Sequence, residues 1–279
     1  MAPTQEEHPH VAPDEAQSLF VIRHGDRWDY QNPEWLETAK RRGDPPLSTL
    51  GHQQARETGI FLDQLLAKEG FTGDRITWLA SPFLRTLQTS DDALNAFTEI
   101  DTKQISILPE YSVFEMDGHD GMLHKDLPGM DERKCYFPRL DDTHESLFVP
   151  ELPEPRDQFL TRCDNAMTSF NRRYSYSPGT AFVIVTHAAA CIGLSRAASN
   201  ATLQEVHAAG PCSVFRLTRT SPTDVWDLDH FSKEKGLNGY SDHISVKGNF
   251  TYPWNNFASK AINRGYTGPP GHAPKRDEL

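Results

Sequence analysis

Leu19-Phe20-Val21-Ile22 is an unbroken apolar run that ends in Arg23-His24-Gly25. A short continuous run predicts a strand buried on both faces, and the polar residues after it predict a loop at the strand's carboxyl end. The stretches Arg75 to Ala80, Ile105 to Leu108 and Ala181 to Val185 repeat the pattern, and Ser213 to Leu217 predicts a last core strand. Asp224 to Asp229 predicts an edge strand. Between these runs the apolar spacing turns helical. Leu50, Ala55, Ile60, Phe61 and Leu65 follow Ser48 and Thr49, either of which can cap a helix that Gly70 stops. Ser81-Pro82 opens another, with Pro at the first helical position and Leu84, Leu87 and Ala93 along it. Two more helices are predicted from about Arg156 to Tyr174 and from Ala188 to Ala198. Strands alternating with helices predict a three-layer α/β/α fold on a mostly parallel sheet. Ligands of such sheets gather outside the carboxyl ends of the strands, where both Arg23-His24-Gly25 and Thr186-His187 emerge.

Patterning fades at both ends and once in the middle. Residues 1–17 are polar and charged, with three prolines, and predict a disordered tail. One folded domain is expected over residues 18–231. Within it, 111–155 is rich in Asp, His and Pro and too long for an ordinary loop, so an inserted cap region over the active site is expected. Residues 232–279 are polar with scattered aromatics (Tyr240, Phe250, Tyr252, Trp254, Phe257) and predict an extended C-terminal tail packed on the surface.

The chain has 279 residues, 37% of them hydrophobic, which suffices for one sizeable core. Its formal net charge of −11 speaks against nucleic acid or an anionic membrane as a partner. The N-terminal stretch lacks an apolar signal segment, no run is long enough to span a bilayer, and a cytoplasmic location is expected. The final Arg276-Asp277-Glu278-Leu279 resembles a retention address for the endoplasmic reticulum but reads as a chance tetrapeptide, and the sequons at Asn200 and Asn249 read as unglycosylated. Cys135, Cys163, Cys191 and Cys212 are widely spaced, which disfavours disulfides and zinc. His119, Asp120, His124 and Asp126, like Asp227, Asp229 and His230, read as solvated loop residues, and neither a metal nor an organic cofactor is expected.

An anionic substrate needs a positive pocket inside this acidic shell. Arg23-His24-Gly25-Asp26-Arg27 offers an imidazole between two guanidiniums. Neutral imidazole is a competent nucleophile when one ring nitrogen is held by an acceptor and the other is free. Arginine matches two phosphate oxygens at once and keeps its charge. Phosphoryl transfer asks for these parts and for a proton donor to the leaving group.

Phe20 to Arg27 resembles the signature of the histidine phosphatase (phosphoglycerate-mutase-like) superfamily. Ser81-Pro82-Phe83-Leu84-Arg85-Thr86-Leu87-Gln88-Thr89 is similar to its second element, and Val183 to Ala188 to the strand carrying its second histidine. The resemblance covers Leu19 to Thr218 and implies phosphorylation of His24, with Arg23, Arg27, Arg85 and His187 holding the phosphate. It places the proton donor at Glu115, better matched than Glu110; Asp26 and Asp29 are the other candidates, Asp26 being expected to pair with Arg27. Such a donor needs a pKa raised by burial against the pull of the arginines.

Arg27-Trp28-Asp29 and Asp44 to Gly51 resemble branch 1 members, namely the phosphatase domain of the suppressor-of-T-cell-receptor-signalling proteins and ecdysteroid-phosphate phosphatase. The mutases carry serine where Arg27 stands, and the larger acid phosphatases carry Asp where Ala188 stands. Hydrolysis of phosphate monoesters is therefore expected. Mutase-type phosphotransfer and a non-catalytic phospho-ligand-binding or assembly subunit stay open as alternatives. Trp28, Tyr30, Trp35 and the stretch from Met116 to Phe148 are expected at the mouth of the pocket. They would admit a phosphorylated small molecule or a phosphotyrosine-type substrate, and oligomeric state is not legible.

Overall fold

The structure is a computed structural model that describes residues 16–116, 129–152, 154, 158–206, 208–223, 225–229, 239–247 and 251–253. Strand β1 (Gln17–Arg23) is followed by helix α1 (Thr49–Lys68), β2 (Ile76–Ala80), α2 (Leu84–Asn95) and β3 (Ile107–Pro109). Then come α3 (Met130–Tyr136), α4 (Phe159–Arg173), β4 (Thr180–Thr186) and α5 (Ala188–Ser199). Short strands β5 (Ala208–Ala209), β7 (Asp227–Leu228) and β8 (Tyr252–Pro253) surround the longer β6 (Val214–Arg219). Six strands form one sheet in the order β3-β2-β4-β1-β6-β7. The first four run parallel, while β6 and β7 are antiparallel additions at one side. Among the described residues, no helix is long and apolar enough to cross a membrane.

Both faces of the sheet are buried because successive residues of its strands feed opposite layers. From β1, Leu19 and Val21 join Phe159, Cys163 and Phe170 of α4 and Ile192 of α5 on one face. Phe20 and Ile22 join Leu62 and Leu66 of α1 and Leu87 of α2 on the other. Pairing is in register at the carboxyl edge: Arg23 opposes Thr186, and Ala80 opposes both Val185 and Pro109. The next residues of neighbouring strands (His24, His187, Ser81 and Glu110) therefore leave the sheet at one level.

Several boundaries differ from expectation. The first strand begins at Gln17, which is fully buried and donates to Thr180 Oγ1 at 2.9 Å. Ser48, one of the two expected caps, does cap α1, its hydroxyl accepting from Gly51 N. Pro82 is not the first residue of α2; the helix starts at Leu84 because the carboxylate of Asp44 takes Leu84 N–H at 2.7 Å. β3 begins two residues late, since Ile105 N–H turns back to Thr102 O.

The stretch 111–155 holds the helix α3 and also flanks the sheet, where Asp141 N–H donates to Ile107 O at 2.9 Å. His119, Asp120, His124, Asp126, Asp224 and His230 lie outside the described residues, as do Phe250, Trp254 and Phe257. Of the C-terminal stretch, Tyr240 bridges Val214, Ile244 packs with Leu47, Ala55 and Cys212, and Tyr252 pairs with Ala209.

Candidate active site

His24 sits where β1 gives way to its loop, almost entirely buried. Its Nδ1 lies 2.7 Å from Gly25 O. A carbonyl only accepts, so Nδ1 carries the proton and Nε2 keeps its lone pair. Burial first, then Arg85, Arg23 and His187, hold the His24 pKa well below the usual imidazole value, so the ring is neutral at physiological pH. The loop is pinned through its backbone: His24 N–H donates to Thr186 O, Gly25 N–H to Thr89 Oγ1, and Asp26 N–H to Gln54 Oε1. Gly25 packs directly on α1, where a Cβ would come within 2.5 Å of Gly51 O. Only a residue without a side chain permits that approach.

His187 follows the neighbouring strand, its ring 5.4 Å from that of His24 at 65°. Ser81 Oγ lies 2.9 Å from His187 Nε2, and Glu115 Oε2 lies 3.1 Å from Nδ1, off the line of a hydrogen bond. Burial first lowers the His187 pKa, to about 4, against the pull of Glu115. Arg85 Nη2 donates to Glu115 Oε2 at 2.9 Å and is itself held near Asp44 and by the face of Phe83. Arg23 Nη1 donates to Ala209 O at 2.9 Å, and its charge reaches His24. Arg27 pairs in bidentate fashion with Asp29, at 3.0 and 2.7 Å, and lies over Tyr30. Its charge acts on Glu115 and Arg85. The expected His24, His187, Arg85 and Glu115 thus converge, and Arg23 and Arg27 border them.

Three expectations change. Arg27 pairs with Asp29 rather than with Asp26, whose Oδ2 accepts from Ser48 Oγ and Gln31 Nε2. Glu115 does not carry a raised pKa: burial pushes it up, but His187, Arg85 and Arg27 outweigh burial and hold it below the usual carboxylate range. Met116 is buried in the core rather than placed at the mouth. Trp28 is exposed. Glu110 is fully buried and serves the loop, accepting from Ser112 N, Leu147 N and His144 Nε2.

Ser81 and Thr89, at the two ends of the second motif, support the site through their contacts to His187 and Gly25. Asp44 caps α2, neighbours Arg85 and accepts from Arg133 of α3, tying α3 to the site. Donor atoms of His24, Glu115 and His187 lie within 4.8 Å of one another, which is the spacing of metal ligands. The guanidiniums of Arg23 and Arg85, whose charges already keep protons off His24, oppose a cation there. They favour an anion.

A family model described as "Histidine phosphatase superfamily (branch 1)" matches residues 19–230. The chain belongs to that superfamily. Ecdysone phosphate phosphatase from Bombyx mori, solved with tungstate, superposes with a TM-score of 0.59 at 20% identity, covering 76% of this chain and 92% of that one. Phosphoglycerate mutase from Bacillus anthracis str. Sterne superposes with a TM-score of 0.51 at 14% identity, covering 84% and 97%. YhfR from Bacillus stearothermophilus superposes with a TM-score of 0.51 at 19% identity, covering 82% and 100%. These likenesses show the phosphoglycerate-mutase-like fold. No curated protein matches the chain.

Proposed function

We propose that this histidine phosphatase hydrolyses phosphate monoesters through a phosphohistidine on His24. One observation carries the reading: a neutral ring with its free Nε2 stands beside His187 and within the field of Arg23 and Arg85. Nε2 attacks phosphorus in line, the bond from phosphorus to the ester oxygen breaks, and the leaving oxygen takes a proton from Glu115. The positive phosphoimidazole keeps its Nδ1 proton on Gly25 O. Water then attacks the phosphohistidine, Glu115 recovers the proton from that water, and inorganic phosphate departs. Arg23, Arg27, Arg85 and His187 bind the equatorial oxygens and offset the charge spread over them.

Glu115 is ionised in the empty site, so it becomes an acid only on substrate binding. A phosphate dianion competes for Arg85 and His187 and adds negative charge beside the carboxylate, and both effects raise the carboxyl pKa. A substrate with an aromatic or apolar alcohol suits a site bordered by Tyr30, under the Arg27 guanidinium, and by the exposed Trp28. The steroid phosphate named for the Bombyx phosphatase is one such ester. No cofactor enters the scheme.

Rapid mixing with 32P-labelled p-nitrophenyl phosphate and quenching in alkaline denaturant tests it. The expected result is label on a peptide containing His24 before steady state, and none in His24→Ala. Phosphate release by the wild type with no protein-bound label at any time would sink the reading.

A further inference from the structure

We propose that Arg162 is a positioning residue that sets the place of the Glu115 carboxylate from behind, through the backbone. This inference rests on the reading of Glu115 as the proton donor. Arg162 lies on α4, far along the chain from the motifs that carry the chemistry, and is nearly fully buried. Its Nη1 donates to Ser112 O at 2.9 Å and Phe114 O at 3.2 Å, and its Nη2 donates to Phe114 O at 3.2 Å and Glu115 O at 3.1 Å. The remaining carbonyl of this stretch, Val113 O, accepts from Thr186 Oγ1, next to His187. Four consecutive carbonyls ending at Glu115 are therefore bound, three of them by one guanidinium.

Glu154 makes this arrangement tolerable in the interior. Its carboxylate accepts from Arg162 Nε at 2.6 Å and from Nη2 at 3.1 Å, so the buried charge is paired. The ring of Phe159 lies 4.9 Å from the guanidinium carbon and closes the packing around it. Among its described residues, 111–116, this loop has only the single turn Tyr111–Val113 as regular structure. The five N–H donors of one planar fork serve three carbonyls and the Glu154 carboxylate together; an ammonium has only three donors and cannot serve all four groups. Proton transfer is sensitive to donor position at the ångström scale, so a loop released from this fork loses the acid while the phosphate cradle of His24, Arg85 and His187 survives.

The leaving group separates this role from a merely structural one. An alkoxide needs a proton to depart, whereas p-nitrophenolate does not. In Arg162→Lys, kcat on glycerol 2-phosphate is expected to fall roughly 10- to 100-fold, and kcat on p-nitrophenyl phosphate by no more than about 3-fold. Inhibition by inorganic phosphate is expected to stay within about 3-fold, reporting an intact cradle. Glu115→Gln, run in parallel, should show the same selectivity with a larger loss.

Equal losses on both esters in Arg162→Lys, with selectivity retained in Glu115→Gln, overturn the inference and leave the proton-donor reading standing. No selectivity in Glu115→Gln overturns both. Should Arg162→Lys prove too unstable to assay, Glu154→Gln leaves the guanidinium in place but unpaired. That variant is expected to lose about 3- to 10-fold selectively on the alkyl ester, and a uniform loss there also overturns the inference.

Discussion

The two strand ends that carry His24 and His187 start from equivalent positions and finish with different chemistry. Arg23 and Thr186 face each other on parallel strands, so both imidazoles leave the sheet at one level, and both are buried. Burial is the largest influence on each and keeps each neutral. They part at their second contacts. His24 has one nitrogen tied to Gly25 O, and Nε2 makes no hydrogen bond among the described residues. His187 has a neighbour at each nitrogen, Ser81 at one and Glu115 at the other. A carboxylate beside Nδ1 favours the proton there, which leaves Nε2 to accept from the Ser81 hydroxyl. Equal depth in a fold does not assign a role to an imidazole; the atoms that occupy its nitrogens do.

Removing each ring tests that difference most severely. His24→Ala is expected to lower kcat roughly 10⁵-fold or more, because the nucleophile itself is gone. His187→Ala is expected to cost roughly 10²- to 10³-fold, the usual cost of one donor to a developing oxyanion, with label still reaching His24. Equal losses from the two variants would mean that the rings share one role. Steady-state kcat on p-nitrophenyl phosphate, with folding checked by circular dichroism, measures both.

A pH series sharpens what the rings have in common. Unfolded imidazole titrates near 6.5, while folded His187 titrates at about 4 and folded His24 well below its ordinary value. Between these limits the unfolded chain binds protons that the folded chain refuses. Their contribution to stability is therefore complete above pH 6.5 and is lost as pH falls toward about 4. His243, stacked on Phe61 and lowered to about 4 mainly by burial, adds to the same window. Glu115 acts below it, since its pKa is depressed from 4.5 and its stabilisation is lost only at lower pH. The expected outcome is a Tm that drops steadily from about pH 7 to about pH 5. A Tm that rises over that interval would contradict neutral, buried rings.

The smallest effect expected concerns the loop under one ring only. Thr89→Val keeps the shape of the side chain but removes the acceptor of Gly25 N–H. An orphaned N–H costs about 1–3 kcal/mol, read as a lower urea midpoint, and phosphoenzyme formation should slow a few-fold. A rate unchanged at that loss of stability would show that the His24 loop does not depend on Thr89 for its placement.

The core strands, the long helices, the branch 1 membership, and His24 and His187 at one sheet edge were legible in the sequence. Unbroken apolar runs and the Ser81 to Thr89 motif are properties of neighbours along the chain, and hydrophobic periodicity needs no knowledge of what packs opposite. What escaped came from afar. The start of α2 depends on Asp44, the charge state of Glu115 on Arg85 and His187, and the order of its loop on Arg162. The partner of Arg27 escaped partly for a local reason, since the helical turn Trp28–Gln31 brings Asp29 within reach of the guanidinium, and partly for a distant one, since Ser48 takes Asp26. Electrostatic energy depends on distance in space and on desolvation, neither of which has a period in sequence. The sequence by itself decided which strands are buried and which side chains reach their carboxyl ends; only the tertiary structure decided which of those groups carry charge and which nitrogen is left free to react.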